Sequence, residues 1–375
     1  MKILFVITKA VVGGAQTSVL NLARETKLRG HEVTVGSGDG EWLPEELAKE
    51  GLPFVRFACL KRTHNPLEGI FFIGEIKKYL SGENFDVVHF NGSNSLPGAL
   101  GVKLADKKIR TVFTFRGMSM LDEHYQINFI SRLFYSWFFK FFLLFVDAPV
   151  FVSQENLDKF GRGQLVAGGQ LVYNGLDPEK MDFVSREEAK IFFSQKANSD
   201  LSDKYLIGSI GRLDYAKNYE FLISVFPEIL KINPEARALI IGEGKERTMY
   251  EKLIAEKGLT DKIFLLGNIA NGARYAKGFN LFVQTSRYEG LSIALIEALF
   301  AGLPIIASAV GGNRETVGAE EEIYQLDNRE EFIKKFEQIL IPEIKEEIIL
   351  NNKRQAEKFL LKNTASGYEK IYGKE

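Results

Sequence analysis

The 375-residue chain is long enough for two domains of ordinary size, and its 45% hydrophobic and 26% charged residues make up the composition of a soluble globular protein. A net charge of −1 supplies no global field for nucleic acid or an anionic membrane. The single cysteine, Cys59, excludes an intramolecular disulfide and a cysteine-built metal centre, and fits a reducing compartment.

The opening MKILFVITKAVVGG lacks the charged start, long apolar core and cleavage site of a signal peptide and reads as a first strand over 2–8. Further strands of the first half read over 32–37, 85–90, 110–115 and 148–153. A helix over 15–28 follows the first strand and ends at Arg29-Gly30, a natural C-cap. In VVGGAQTS, between that strand and helix, Gly13 and Gly14 lack Cβ atoms and let backbone amides approach a ligand. The motif is not G-x-G-x-x-G, and a plain tight turn accounts for it equally well. The segment 127–146, INFISRLFYSWFFKFFLLFV, is interrupted by Arg132 and Lys140 and stands just before a strand, which argues against a spanning helix. Its phenylalanines lie all round the helix. It reads either as a helix buried in the core or against a second copy, or as a surface that dips into a bilayer interface.

The glycine-rich GRGQLVAGG and the turn chemistry of QLVYNGLDPEKMD, residues 170–182, mark a domain boundary. Beyond a polar helix and loop over 187–204, strands resume over 205–211, 237–242, 263–267, 280–286 and 304–308, and from Arg329 the chain is charged and helical. Near-continuous apolar strands joined by helices imply parallel sheets covered on both faces. The expected architecture is therefore α/β, two doubly wound Rossmann-like domains over 1–170 and 171–350. A C-terminal helix over 351–375 is expected to pack back on the first. Ligands of such sheets bind outside the carboxyl ends of the strands, here in the cleft between the two domains.

Three constellations carry chemistry. In GSIGRLDYAK, Arg212 follows a strand end and Lys217 stands near the start of the next helix, a pair suited to a diphosphate or merely two solvated loop cations. In SRYEGLSIALIEALFAGLP, Glu289 and Gly290 sit on a loop, Ser292 is a plausible N-cap, and Glu297 lies in a helix over 292–301. The same-face neighbours of Glu297 are Ile293, Ala294, Phe300 and Ala301, all apolar, so its carboxylate points at something particular: hydroxyls of a polyol, or a distant cation. The turn Gly311-Gly312-Asn313-Arg314-Glu315 offers further amides at the same sheet edge.

Taken together, the N-terminal GG turn, NGLDP, GRLDYAKN, IIGEGKE, EGLSIALIEALFAGLPIIAS and VGGNRE resemble the retaining glycosyltransferases of family 4, with the GT-B fold. The likeness runs over nearly the whole chain and is densest over 173–317. It implies that Arg212 and Lys217 hold the diphosphate of a nucleotide-sugar donor, a UDP- or GDP-sugar, that Glu289 contacts the donor sugar and is tied to catalysis, and that Glu297 binds ribose hydroxyls. It places the amides of Gly290, Leu291, Ser292, Gly13 and Gly14 near sugar and phosphates. It implies a glycan, lipid-linked or small-molecule acceptor hydroxyl and no cofactor; the residues themselves add the expectations of no metal, no nucleic acid, a cytoplasmic site of action, and peripheral membrane contact through the aromatic segment 127–146. One departure stands out. Many members have a histidine in a T-x-H-G-like setting at the end of the fourth strand, where this chain has Thr114-Phe115-Arg116-Gly117. Arginine stays protonated and cannot act as a base. Arg116, His89, Asn91 and His124 are the acceptor-side candidates. A nucleotide-sugar epimerase on the same scaffold and a non-catalytic nucleotide-sugar binder are the competing readings.

Overall fold

The computed structural model describes residues 1–63, 65–117, 121–122, 124–162, 165–166 and 168–373. The chain divides into two compact units, Met1–Leu176 with Phe359–Glu375, and Asp177–Lys358. Both crossings fall a few residues beyond the boundaries expected at 170 and 350. Part of the glycine-rich segment before the first crossing lies outside the described residues. The segments flanking the crossings are paired: Leu176 N donates to Phe359 O at 2.9 Å and Leu361 N to Leu176 O at 2.8 Å.

The first unit is built on a seven-stranded parallel sheet. Its strands are β1 (Lys2–Ile7), β2 (Glu32–Ser37), β3 (Phe54–Arg56), β4 (Val87–Asn91), β5 (Arg110–Phe115), β6 (Ala148–Phe151) and β7 (Gln170–Leu171), in the order 3-2-1-4-5-6-7. The run KILFVI is apolar without alternation because both faces are covered. Ile3, Phe5 and Ile7 pack into one core layer, Leu4 and Val6 into the other. Helix α1 (Gly14–Leu28) ends at Arg29, and Gly30 takes φ +88° to close it. Helices α2 (Pro66–Leu80) and α3 (Phe129–Leu143) follow on the same unit. Asn65 and Asn128 cap them, accepting from Leu67 N and Ser131 N.

The second unit carries six parallel strands, β8 (Tyr205–Ile210), β9 (Ala236–Ile241), β10 (Ile263–Gly267), β11 (Leu281–Gln284), β12 (Ile305–Ser308) and β13 (Ile323–Tyr324), in the order 10-9-8-11-12-13. Helix α4 (Tyr219–Ile232) packs on this sheet, and helix α5 (Ile293–Phe300) runs from an N-cap at Ser292 to Gly302, whose φ of +73° turns the chain into β12. Helix α6 (Leu361–Tyr372) belongs to the first unit, where Tyr368 and Tyr372 are buried. Strands β3, β7 and β13 have no counterpart among the strands expected from sequence. All three are two- or three-residue strands at sheet edges, too short to carry a periodic signal.

Glu322, fully buried just before β13, ties the chain together below the sheet. Its Oε1 accepts from Ile305 N at 2.9 Å and from Asn352 Nδ2 at 2.7 Å. Glu322 Oε2 and Asn352 Oδ1 lack partners among the described residues. Burial pushes the Glu322 carboxyl up to about 8. A carboxyl whose folded-state pKa is raised keeps its proton while the unfolded chain releases it. Stability therefore falls as pH rises through the window from about 4.5 to about 8, by roughly 1.4 kcal/mol for each pH unit crossed. Glu322→Gln, which mimics the protonated form, is expected to flatten that loss. Urea unfolding of both proteins at pH 5 and pH 8.5 measures it, and parallel losses in the two would show that Glu322 is not the titrating group.

Candidate functional site

In the second unit the strand order reverses between β8 and β11, and the loops leaving their carboxyl ends carry the charged residues singled out in the sequence. After β8, Gly211 leads into a short helical turn, Tyr215–Lys217. A Cβ at Gly211 would lie 3.0 Å from Lys217 Cε, so the glycine leaves room for the lysine stem. The turn itself is held from β11. Thr285 Oγ1 donates to Lys217 O at 2.8 Å, Arg287 N to Ala216 O at 2.8 Å, and Arg287 Nη1 to Tyr215 O at 2.7 Å. The Arg287 guanidinium also pairs with Glu220 and lies 4.1 Å from the Tyr215 ring centroid.

That clamp aims Lys217 at Glu289. Lys217 Nζ donates to Glu289 Oε1 at 2.6 Å, with the two side chains only 17% and 15% exposed. Ser286 Oγ donates to the same oxygen at 2.7 Å and Gln284 Nε2 reaches it at 3.4 Å. Gln284 also bonds Asn313 and Ser292, and Asn313 Nδ2 donates to Ser308 O. The Gly311-Gly312 turn presses on this loop: Gly312 N donates to Gly290 O at 2.9 Å. A Cβ at Gly311, which sits at φ +52°, would collide with the Glu289 carbonyl oxygen. Leu291 is buried, and Ser292 Oγ both donates to Gln284 Oε1 and accepts from Leu295 N.

Glu297 lies on the less buried face of α5, together with Ile293, Ala294 and Phe300, while Leu295, Ile296, Ala298 and Leu299 face the core. Its carboxylate has no hydrogen-bond partner among the described residues. Burial raises its pKa to about 7, with the Lys217 ammonium opposing the shift. No side chain bonds it in place of the polyol or the distant cation that the sequence allows. Arg212 stands apart from the knot: its side chain is 60% exposed and pairs with Asp214 Oδ2 at 2.9 Å. Of the two cations, Lys217 is locked against Glu289 inside the loop network and Arg212 is held at the surface by Asp214.

In the first unit β1 and β4 are the strands at which the order reverses. Gly13 precedes α1 with φ 172°, an extended backbone open to any residue, and Gly14 is the first helical residue. A Cβ at Gly13 would meet only the flexible Gln16 side chain, its Oε1 at 2.7 Å. At the end of β4, Asn91 Oδ1 accepts from Arg116 Nε at 3.0 Å, and Arg116 Nη1 donates to Asn174 Oδ1. Arg116 Nη2 is buried without a partner among the described residues. Burial lowers the guanidinium pKa, and both of these acceptors are neutral amides that do little to restore it.

His89 is not available as a base. Its Nδ1 bonds Tyr372 Oη and its Nε2 bonds Thr114 Oγ1, both at 2.7 Å, inside the core, and burial holds its pKa well below the usual value. Thr114 Oγ1 also meets Tyr368 Oη at 2.8 Å. His124 sits on an exposed turn bonded to Asp122. The structure thus brings Arg116 and Asn91 together, buries His89 in the core and exposes His124 beside Asp122. Among the described residues no group of three or more His, Cys, Asp or Glu side chains is gathered as a metal site.

Gln284, Thr285, Ser286, Arg287 and Asn313 support the site without standing out individually in the sequence. The available signal is the polar run Gln-Thr-Ser-Arg closing an apolar strand, where a buried polar group demands partners.

Residues 12–180 match the family described as Glycosyltransferase Family 4, and residues 191–356 match Glycosyl transferases group 1. An uncharacterized glycosyltransferase of Methanocaldococcus jannaschii is 34% identical over 154 residues, 40% of this chain and 39% of its own length. The alpha-monoglucosyldiacylglycerol synthase of Acholeplasma laidlawii is 24% identical over 310 residues, 79% of this chain and 77% of its own. The crystal structure of Anabaena HepE in complex with UDP and glucose superimposes with a TM-score of 0.81 at 19% identity, covering 99% of each chain.

The Lys217–Glu289 pair yields a stability prediction. Lys217→Met strands a mostly buried carboxylate and is expected to destabilise the protein by roughly 1–3 kcal/mol. Lys217→Met/Glu289→Gln should recover most of that loss. A double-mutant cycle in urea measures the coupling; additive losses would mean that the pair is not a unit.

Proposed function

The chain belongs to the family 4 glycosyltransferases, with the α/β GT-B fold of two Rossmann-like domains, and from that premise we propose that it moves a sugar from a nucleoside-diphosphate sugar to an acceptor hydroxyl with retention of anomeric configuration. The observation that carries the reading is the Lys217–Glu289 knot on the loops leaving β8 and β11, with the half-buried Glu297 carboxyl within electrostatic reach of the same lysine. A fixed ammonium at that edge is where a leaving diphosphate gains charge. Lys217 keeps further N–H donors after bonding Glu289, and Arg212, exposed on its loop, swings in as a planar fork. Both cations take the role that a divalent ion has elsewhere, so the transfer is proposed to be metal-independent.

Glu289, oriented by Ser286 and Gln284, faces the donor sugar, and Glu297 accepts from the ribose hydroxyls. The acceptor is received at the carboxyl edge of the first unit, beside Arg116 and Asn91, and the leaving phosphate takes the acceptor proton on the same face as departure. Arg116 gives its charge to an acceptor or phosphate oxygen and does not act as a base. HepE is seen in complex with UDP and glucose, and the Acholeplasma relative is a synthase of a glucosylated diacylglycerol. These support a uridine-nucleotide donor and a lipid-bearing acceptor, with peripheral membrane contact through 127–146 at the cytoplasmic face.

Thermal-shift screening identifies the donor, because a ligand bound to the native state raises Tm. With that donor, Lys217→Met and Glu289→Gln are expected to lower kcat roughly 10²–10³-fold while the fold persists. Full turnover in either variant overturns the assignment, and an epimer formed from donor alone supports the isomerase reading instead. Donor affinity is also expected to rise about tenfold from pH 6 to pH 8, as Glu297 ionises. Calorimetric titration of the wild type and Glu297→Gln tests this, the variant showing no such rise.

A further inference from the structure

Arg116 is a cation to which its neighbours give no counter-charge. It directly follows β5, and its guanidinium is held from two other segments. Nε donates to Oδ1 of Asn91, the last residue of β4, at 3.0 Å, and Nη1 donates to Oδ1 of Asn174, beyond β7. Both acceptors are neutral amides. The groups that bear on its charge are Tyr368 and Tyr372, and burial raises the pKa of both phenols, so neither becomes a phenolate near neutral pH. The Arg116 charge also adds to the burial that holds His89 neutral. Nη2 has no partner among the described residues. The segments adjoining the two asparagines, GSNSLP over 92–97 and QLVYNG over 170–175, hold no charged residue.

Elsewhere the same chain answers a partly buried cation with a carboxylate. Lys217 has Glu289, Arg29 has Glu25 and Glu369, and Arg287 has Glu220. Taking a guanidinium out of water without such a partner is costly, and hydrogen bonds to neutral amides recover only part of the cost. Asparagine at 91 and at 174, where aspartate would neutralise, fixes the plane of the group and leaves its charge uncompensated. The residue is half-buried, not sealed. It stands at the carboxyl edge of the first sheet, one strand from the reversal of order between β1 and β4, where parallel α/β units receive ligands. Its two bonds take only part of the guanidinium's N–H donors, and a carboxylate or phosphate offers paired oxygens to the rest. A sugar hydroxyl would meet the hydrogen bonds but not the charge.

We propose that Arg116 is a specificity-determining residue that selects an acceptor bearing a carboxylate or a phosphate, with Asn91 and Asn174 as neutral braces that keep its charge available. This role rests on the transferase reading for the acceptor's identity, but not for the capture of the anion, and the two are tested apart. Without donor, calorimetric titration compares methyl glucuronoside with methyl glucoside, and glucose 6-phosphate with glucose. The wild type is expected to bind the charged member of at least one pair about tenfold more tightly than its neutral partner. Arg116→Gln should bind both members alike. Arg116→Lys should keep part of the preference, as a point charge without the fork. Because Arg116→Gln removes an uncompensated charge and retains an amide donor, its Tm should equal or exceed that of the wild type. Equal binding of both pairs by the wild type overturns the proposal. So does a preference unchanged in Arg116→Gln, or a fall in Tm as that variant's only effect, which would make the arginine structural.

In transfer assays, Arg116→Gln should raise the KM of the charged acceptor about tenfold and move kcat by less than about threefold. UDP affinity should stay the same. A loss of UDP affinity would put the diphosphate at Arg116 and overturn the acceptor assignment. A charge preference between UDP-glucuronate and UDP-glucose, with none between acceptors, would move the anion to the donor sugar and overturn it likewise. An Arg116-dependent preference for the charged ligand, with no sugar transferred to any acceptor, supports the anion site and counts against the transferase reading.

Discussion

Three successive carbonyl oxygens, those of Tyr215, Ala216 and Lys217, are each taken by a donor from the segment Thr285–Arg287. A lysine on a loop loses up to about 2 kcal/mol of rotamer freedom when it is fixed. One whose own backbone drifted could not meet a carboxylate reliably. The clamp removes the drift, and the 2.6 Å contact to Glu289 follows from it. Glu289 is in turn held by Ser286, braced through Gln284 to Asn313, and pressed from behind by the Gly311-Gly312 turn. The charged pair is thus the visible end of a polar network anchored at the carboxyl ends of neighbouring strands. There the reversal of strand order leaves room for a ligand.

The first unit solves a different problem. Arg116, at the end of β5, is held by two neutral amide oxygens, from Asn91 and Asn174. A guanidinium in such company stays cationic but gains no counter-charge from these partners, and it keeps a buried N–H group unsatisfied among the described residues. Beneath it, His89, Thr114, Tyr368 and Tyr372 form a closed hydrogen-bonded cluster that pins the C-terminal helix α6 to the sheet. Arg29 adds an ion pair to Glu369 of the same helix. The terminal residues are therefore part of the floor on which Arg116 stands.

Net charge conceals local character in this protein. An overall −1 coexists with a helix, α3, that bears two cations, no carboxylate and an exposed aromatic face. Helical phenylalanines at every angle require that some be buried and some not, and only the neighbouring elements decide which. Here α2 and the loops after β3 and β4 cover one side and stop short of the rest, leaving a pit rather than a packed seam.

The long central strands were legible because burial on both faces demands an unbroken apolar run, as in KILFVI and RALIIG. The glycine at 30 and the cap at Ser292 obey local rules of backbone and hydrogen bonding, so nearby residues suffice to place those helix ends. Glu297 also drew notice from its neighbours alone, since a carboxylate amid apolar residues is conspicuous by its desolvation cost. Edge strands of two or three residues were not, because pairing with a neighbour, and not their own composition, makes them strands. The long-range geometry was invisible for the same reason: Lys217 meets Glu289, and His89 meets Tyr372, across 72 and 283 residues. The chain by itself determined which segments are strand or helix and which side chains are too polar to be left alone in the core. Tertiary packing alone decided which of those polar groups satisfy one another, because hydrogen bonds depend on distances that only the assembled sheets set.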